Sequence, residues 1–526
     1  MVLQEPEARI TRLPFHSNPD ISDEICEYLQ DQQNLLWVAL TCKAFLEPAL
    51  DRLWRSLDSL FPLLRTLPAF IQSDGTYVSG LAAYTIEVHS SFYHQVLRGN
   101  VTAEDWARFD WYARRVRRFV YRRDPDHLDI AMHVYFRVAQ LRSTPLLPSL
   151  RHLHCPSTSQ NDFLISGICL FLSPSLQTLH FENISTVEDK LCGTVLHTLA
   201  SDGAQIEKII LGGKGLSSDT LWLAIRFEHL NWLELSGMGE AIDLDIVEEI
   251  GSLPWLTKLA LDFTGSRMEP LAHDIGLKDL DSLTITAPAP FIQTFLSRIA
   301  TTQLETFAAV VPSIPPANKK EFLTMVVDRW NNTLRCIELV HQHKEDGPDE
   351  HLHIDALAPL VSLRKLRHLK LEGYIMELTD ENIFDMARAW PEIDTLLLPF
   401  INALIDPRPT LSSLRYLADL CPNLRHLTIP LNTGDLLPFV STGVPHTPVH
   451  DLDTLTIASA GDPWDLRDML HVARHVDYLF PKLKSLSPYK MRDERWNEVH
   501  GMIQMYQTVR QEAIAFERRG GGSVCS

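Results

Sequence analysis

Leu366-Arg367-His368-Leu369-Lys370-Leu371 sets three apolar side chains in a frame of apolar, two residues, apolar, one residue, apolar. The same frame begins at Val116, Leu150, Leu176, Ile206, Leu230, Leu256, Leu280, Leu304, Leu334, Leu366, Ile393, Leu424, Leu452 and Leu483. Of the 42 frame positions 41 are apolar and only Pro488 is not, where the 45% apolar content of the chain would supply about 19. The first and last copies start 367 residues apart over thirteen intervals, a mean of about 28.

The fourth and sixth frame positions are two apart, so in an extended chain they fall on one face of a strand. Several connectors carry helical spacing instead, among them Ile246, Ile250 and Leu253, and Phe384, Ala387 and Trp390. One strand and one helix cannot bury an apolar face alone. Stacked neighbours can, through a continuous core. The spacing lies inside the ~20–29 residue period of leucine-rich repeats, and the segment resembles an irregular, ribonuclease-inhibitor-like domain of that family. The resemblance implies an α/β solenoid with parallel strands on its concave face. Such repeats usually carry Asn or Cys three residues after the last strand leucine; here only Asn432 stands there. Intervals range from 24 to 34 residues, so an uneven arc is expected. Ordinary α/β layers sharing a strand pattern are the alternative, but doubly wound sheets do not repeat one strand so many times.

Residues 18 to about 60 follow another rhythm. Ile21, Ile25, Tyr28 and Leu29, then Leu35, Leu36, Ala39 and Leu40, then Phe45, Ala49 and Leu53 recur at helical spacing. Asn18-Pro19 supplies a helix start, and Asp31 and Asn34 punctuate the next boundary. Three short helices make a module too small to stand well on its own core, which suits one that leans on a partner.

The stretch from Asn18-Pro19-Asp20-Ile21 to Tyr28-Leu29 is similar to the opening of an F-box. Leu35-Leu36, Ala39-Leu40-Thr41-Cys42-Lys43-Ala44-Phe45, Pro48-Ala49-Leu50 and Leu53-Trp54 resemble the rest of that motif. Asn18 stands for the usual leucine and Phe45 for the usual tryptophan, which keeps aromatic bulk and loses the indole donor. Asp105-Trp106-Ala107-Arg108-Phe109 and Tyr112 to Arg117 resemble the segment that follows in fungal F-box proteins. The resemblance implies a substrate-recognition subunit of an SCF-type cullin–RING ubiquitin ligase. The helices would bind a Skp-type adaptor, and through it cullin, while the repeats would hold a protein substrate. Pro19, Ile21, Ile25, Leu35, Leu36, Cys42 and Lys43 would form or support the adaptor surface; the leucines can equally be the core of the module.

Candidate substrate contacts come from strand alternation, which sends His368 and Lys370, and His426 and Thr428 two repeats later, to the face opposite the frame leucines. With Arg364, Lys365 and Arg367 nearby, they suggest a local positive patch for an acidic or phosphorylated substrate segment, or simply exposed strand residues.

Other signals point away from chemistry. Arg114 to Arg123 holds six arginines with interleaved aromatics, a pattern that can grip single-stranded nucleic acid. Its Val116, Phe119 and Tyr121 belong to the repeat frame and carboxylates flank it, so a first strand with an ion-paired face is expected. His341, His343, His351 and His353 with four carboxylates read as a polar loop between repeats rather than a metal site. Gly212-Gly213-Lys214-Gly215 lacks the spacing of a phosphate loop. No catalytic constellation, cofactor motif or metal-ligand set is found, and no enzyme activity is expected.

With 48 basic and 67 acidic residues the net charge is −19, which disfavours nucleic acid as a partner. Glu5, Glu7, Arg9 and Arg12 exclude a secretory signal in Met1 to Pro14, and no apolar stretch is long enough for a bilayer. Eight scattered cysteines without a C-x-x-C pair suit a reduced, cytoplasmic or nuclear protein. The expected order is a flexible start (1–17), the F-box-like module (18–65), a helical connector (66–113), the solenoid (114–490), a capping helix (491–516) and a disordered tail (517–526). The competing reading is a non-catalytic interaction scaffold with no link to ubiquitination.

Overall fold

The computed structural model describes residues 19–29, 31–73, 94–121, 130, 132–155, 167–237, 242–264, 273–311, 319–342, 350–398, 407–432, 450–458, 466–488 and 494–520. The start (1–17) and the end of the tail (521–526) lie outside these. The chain divides into two compact units, Met1–Leu230 and Asn231–Ser526.

The first unit opens with three helices, α1 (Pro19–Tyr28), α2 (Gln32–Thr41) and α3 (Lys43–Leu53). Asp31 caps α2 by accepting from the backbone N–H groups of Gln33 and Asn34, both at 3.3 Å. Extended backbone at Cys42 separates α2 from α3. Cys26, Leu35, Ala39 and Ala49 form the core of the module, with Leu29, Val38, Phe45 and Leu53 packed against it.

The sheet then begins at once with β1 (Ser56–Leu57). After α4 (Phe61–Leu64) comes an antiparallel pair, β2 (Phe70–Ser73) and β3 (His94–Leu97), and then α5 (Ala103–Ala113). Thr102 and Asp105 form a capping box at its start. β4 (Arg118–Val120), α6 (Met132–Leu141), β5 (His152–Cys155), β6 (Thr178–Phe181) and β7 (Lys208–Gly212) complete the unit's sheet, ordered β1-β4-β5-β6-β7 and parallel throughout.

Two expectations are corrected here. The connector 66–113 is not wholly helical, because Phe70-Ile71 and Val96-Leu97 pair as strands, a conformation that β-branched and aromatic residues favour. The sheet also starts inside the segment assigned to the helices. Leu57 lies in register with Phe119, so Trp54 and Leu57 occupy the first and fourth frame positions. Ser59 breaks the sixth, which hid this strand from the pattern.

The second unit carries β8 (Trp232–Ser236), β9 (Lys258–Asp262), β10 (Ser282–Thr286), β11 (Thr306–Val311), β12 (Cys336–His341) and β13 (Glu350–His351). These are followed by β14 (His368–Glu372), β15 (Tyr374–Ile375), β16 (Thr395–Leu397), β17 (His426–Pro430), β18 (Thr454–Ala458) and β19 (Ser485–Pro488). Its sheet is parallel in the order β8-β9-β10-β11-β12-β14-β16-β17-β18-β19, with β13 and β15 as a separate two-stranded pair. The final helix, Glu494–Gly520, buries Trp496, Val499 and Ile503. Its Gln507 donates to the Leu483 carbonyl at 2.9 Å and so closes the last turn of the core.

The α/β repeat fold is as expected. Equivalent frame residues face one another across the strands, as in Leu153 to Leu179 and Leu259 to Leu283. All frame positions are buried except Tyr121 and Pro488, which are half-buried. Each fully buried leucine contributes roughly 1.5–3 kcal/mol, so one register repeated along the sheet is a strong determinant of the fold.

Where the usual asparagine ladder is missing, carboxylates bridge successive turns. Asp189 accepts from the backbone N–H and hydroxyl of Ser217, at 3.0 and 2.6 Å. In the second unit Asp380 does the same for Thr410, both at 2.7 Å. The glycine-rich loop is a packing device. A Cβ on Gly215 would lie 2.0 Å from the Ser185 carbonyl carbon, and one on Gly213, whose φ is +147°, would lie 2.2 Å from the Ile184 nitrogen.

Candidate functional site

The helical module turns apolar side chains in two directions. Cys26, Leu35 and Ala39 face its core, whereas on α1 Ile21, Ile25 and Tyr28 are 55, 43 and 79% exposed. On α2 Leu36, Trp37 and Leu40 are 49, 64 and 76% exposed. From Leu35 to Leu40 α2 is apolar all round yet meets water on one side, and large apolar side chains exposed together in this way mark interaction surfaces in general. Of the expected adaptor residues, Ile21, Ile25, Leu36, Cys42 and Lys43 are exposed. Leu35 is in the core and can only support the surface from beneath; Pro19 opens α1. Tyr28, Trp37, Leu40 and Leu46 also reach the surface. The apolar excess of α2 was in the sequence, but Leu36 and Leu40 have the same four-residue spacing as Leu35 and Ala39, so spacing alone does not say which pair faces the core.

This module is fastened to the sheet. The Arg115 side chain, buried at the end of α5, hydrogen-bonds Glu47 at 2.5 Å and Asp51 of α3, and stacks over Trp111 with 4.4 Å to the ring centroid. Burial alone would lower the guanidinium pKa, but the hydrogen bonds to Glu47 and Asp51 outweigh it and leave it raised. The Arg55 carbonyl accepts from the N–H groups of Arg117 and Arg118, both at 2.9 Å. Beside these contacts a cleft of about 1210 Å³ is lined by Arg52, Arg114, Arg117, Arg118 and Arg151 and by Asp23, Glu27 and Asp51. Of the basic run, Arg115 is ion-paired, with Glu47 and Asp51 of α3 rather than with the flanking carboxylates, and the strand that Arg118 opens is second in the sheet, after β1; Arg122 and Arg123 lie outside the described residues.

The substrate candidates lie on the sheet face away from the core, and they are not a positive patch. His368 Nε2 is 3.3 Å from Glu338 Oε1, and Lys370 Nζ is 3.8 Å from Glu338 and 3.1 Å from Glu372. Glu338 stands directly opposite Lys370 in the strand register, a neighbour that a single-strand reading cannot see. The His368 hydrogen bond, with Lys370 adding, holds the Glu338 carboxyl below its usual range. His426 and Thr428 lie two strands away, with Thr395 and Leu397 of β16 between them and His368 and Lys370. The four residues share a face without converging on one point.

Among the described residues two side-chain groups have the composition of metal ligands. His154, His180 and Glu182 bring one ligand atom each to within 4.8 Å of one another, and so do Cys336, Glu338 and His368. In the second group burial pushes the Cys336 thiol up to about 12, and Glu338 is already shared by a histidine and a lysine. In the first, burial before all else, with His154 next, lowers the His180 pKa. Of the histidine-rich loop, His343 lies outside the described residues, while His341 is buried at the end of β12 and His351 is exposed.

Among the described residues no helix is long and apolar enough to cross a membrane. No protein-family model and no curated protein matches the chain. Solved structures similar to it include the yeast complex of Rad7 and Elc1, at 13% identity over 62% of this chain and 83% of that one, TM-score 0.34. The mouse RP105/MD-1 complex is 12% identical, covering 72% of both chains, TM-score 0.35. The Drosophila Toll–Spatzle complex is 12% identical over 74% of this chain and 56% of that one, TM-score 0.28. Likenesses at this level carry no argument about what the chain does.

Proposed function

We propose that the protein is a non-catalytic substrate receptor of an SCF-type cullin–RING ubiquitin ligase, working in the cytoplasm or nucleus. The helical module would bind a Skp-type adaptor, and the outward face of the repeat sheet would hold the protein to be ubiquitinated. The F-box-like sequence of the module suggests this reading. The observation that carries it is a set of exposed apolar side chains on α1 and α2, above a core too small to need them. Arg115 adds support, because it holds the helical module to the first strands of the sheet, as a receptor that presents its repeats from an adaptor needs. In this reading ubiquitin transfer belongs to other subunits. The paired charges around Glu338 favour a substrate read by shape and hydrogen bonds over one selected by negative charge.

Co-expression with a purified Skp-type adaptor tests the proposal. A stable complex that is lost on Trp37→Ser with Leu40→Ser, followed by cullin capture, supports it. A well-folded protein that never retains the adaptor overturns it and leaves the interaction scaffold as the better description.

A further inference from the structure

Across four neighbouring strands of the first unit, one row of residues on the sheet's outward face reads Val120, His154, His180, Ile210. The two histidines are in register, and their rings stack in parallel with centroids 3.9 Å apart. Glu182, two residues beyond His180 and so on the same face, places Oε1 2.7 Å from His180 Nε2 and 3.3 Å from His154 Nε2. One carboxylate oxygen is thus the meeting point of two imidazole nitrogens of the same kind. The flanking Val120 is buried and Ile210 half-buried, so the row is walled by apolar side chains that favour neutral imidazole.

We propose that His154, His180 and Glu182 form a binding site for a divalent ion of the zinc class, zinc, cobalt or ferrous iron. Two imidazoles and one carboxylate with open positions are the donor set these ions favour over calcium or magnesium. A tetrahedral ion with ligands about 2.1 Å away needs donors about 3.4 Å apart, and His154 Nε2 and Glu182 already stand at 3.3 Å. His180 Nε2 must draw back from Glu182 by about 0.7 Å, giving up its hydrogen bond to the carboxylate for a bond to the metal. Adjacent strands fix both histidine backbones, while the rings, now parallel, must turn about their side-chain bonds so that both Nε2 lone pairs meet at the ion. His152, on the same face of β5, is not part of the set, because its Nδ1 lies 3.0 Å from the Thr178 hydroxyl. Three protein ligands leave a position open for water or for a side chain of a bound protein.

Titration of the full-length, metal-stripped protein with Co²⁺, followed by its visible absorption and by competition with Zn²⁺, tests the site. One ion per chain with the spectrum of a tetrahedral or five-coordinate site is expected. His154→Gln and His180→Gln should each weaken binding by about tenfold or more, while His152→Gln and Cys336→Ser leave it unchanged. The half-buried Glu182, changed in Glu182→Gln, serves the same purpose should a histidine variant fail to fold. Absence of saturable binding overturns the proposal, as does binding that survives His180→Gln or Glu182→Gln, or that disappears with Cys336→Ser.

Discussion

Arg115 hydrogen-bonds Glu47 at 2.5 Å across 68 residues of sequence, and this contact fixes the helical module to the start of the sheet. Asp51, one turn further along α3, accepts from the same guanidinium. Both carboxylates are more than half exposed, so solvent screens the pair and the buried arginine carries most of the effect. Arg115→Met is expected to cost about 2 kcal/mol. Urea denaturation of the full chain measures this, and faster proteolytic cleavage between α3 and α5 should accompany it.

The two faces of α2 should respond oppositely to substitution. Leu35→Ala removes a core side chain and is expected to cost about 2–4 kcal/mol. Leu36→Ser and Leu40→Ser change exposed positions and should stay within about 0.5 kcal/mol. Thermal melts paired with adaptor capture separate the two effects: the surface variants melt normally and capture poorly.

Gly215→Ala drives a methyl group into the Ser185 backbone and is expected to destabilise by about 3 kcal/mol. A chain that tolerated this change, judged by an unchanged denaturation midpoint, would show that the loop serves something other than close packing.

Asp189→Ala removes the acceptor for two groups of Ser217 and leaves a partly buried N–H without a partner. The expected loss is about 2 kcal/mol. Hydrogen exchange should report faster opening of the helix Ser218–Ala224 with the second unit unaffected.

Acid should weaken the fold before it titrates most carboxylates. Burial lowers the pKa of His450 and His475 below the ordinary 6.5, and that of His152 likewise. Each folded-state pKa is depressed, so the stability it carries is present above pH 6.5 and is lost as pH falls below that value. The urea midpoint should therefore drop between pH 7.5 and 5.5. His450→Leu should flatten part of that slope.

The parallel sheet was legible because one apolar frame recurs with its register intact, so that Leu259, Leu283 and Phe307 face one another as their spacing implies. β1 was not, since two residues with a polar third anchor carry too little pattern. The same limit applies to charge. Along its own strand Lys370 has only Glu372 as a partner, 3.1 Å away, and the register alone brings Glu338 beside it. Likewise His154 and His180 lie 26 residues apart, and nothing in either strand announces that they stack. The exposed face of α2 was half visible: its apolar excess is in the sequence, but which leucine turns inward depends on how α2 packs on α3.

The pairing of β1 with β4, and the Arg55 carbonyl shared by Arg117 and Arg118, leave no loose tether between α3 and the sheet. The handle cannot swivel on its own. Whatever grips α1 and α2 thereby sets the aim of the first strands, and a pull on one is transmitted as torque to the other.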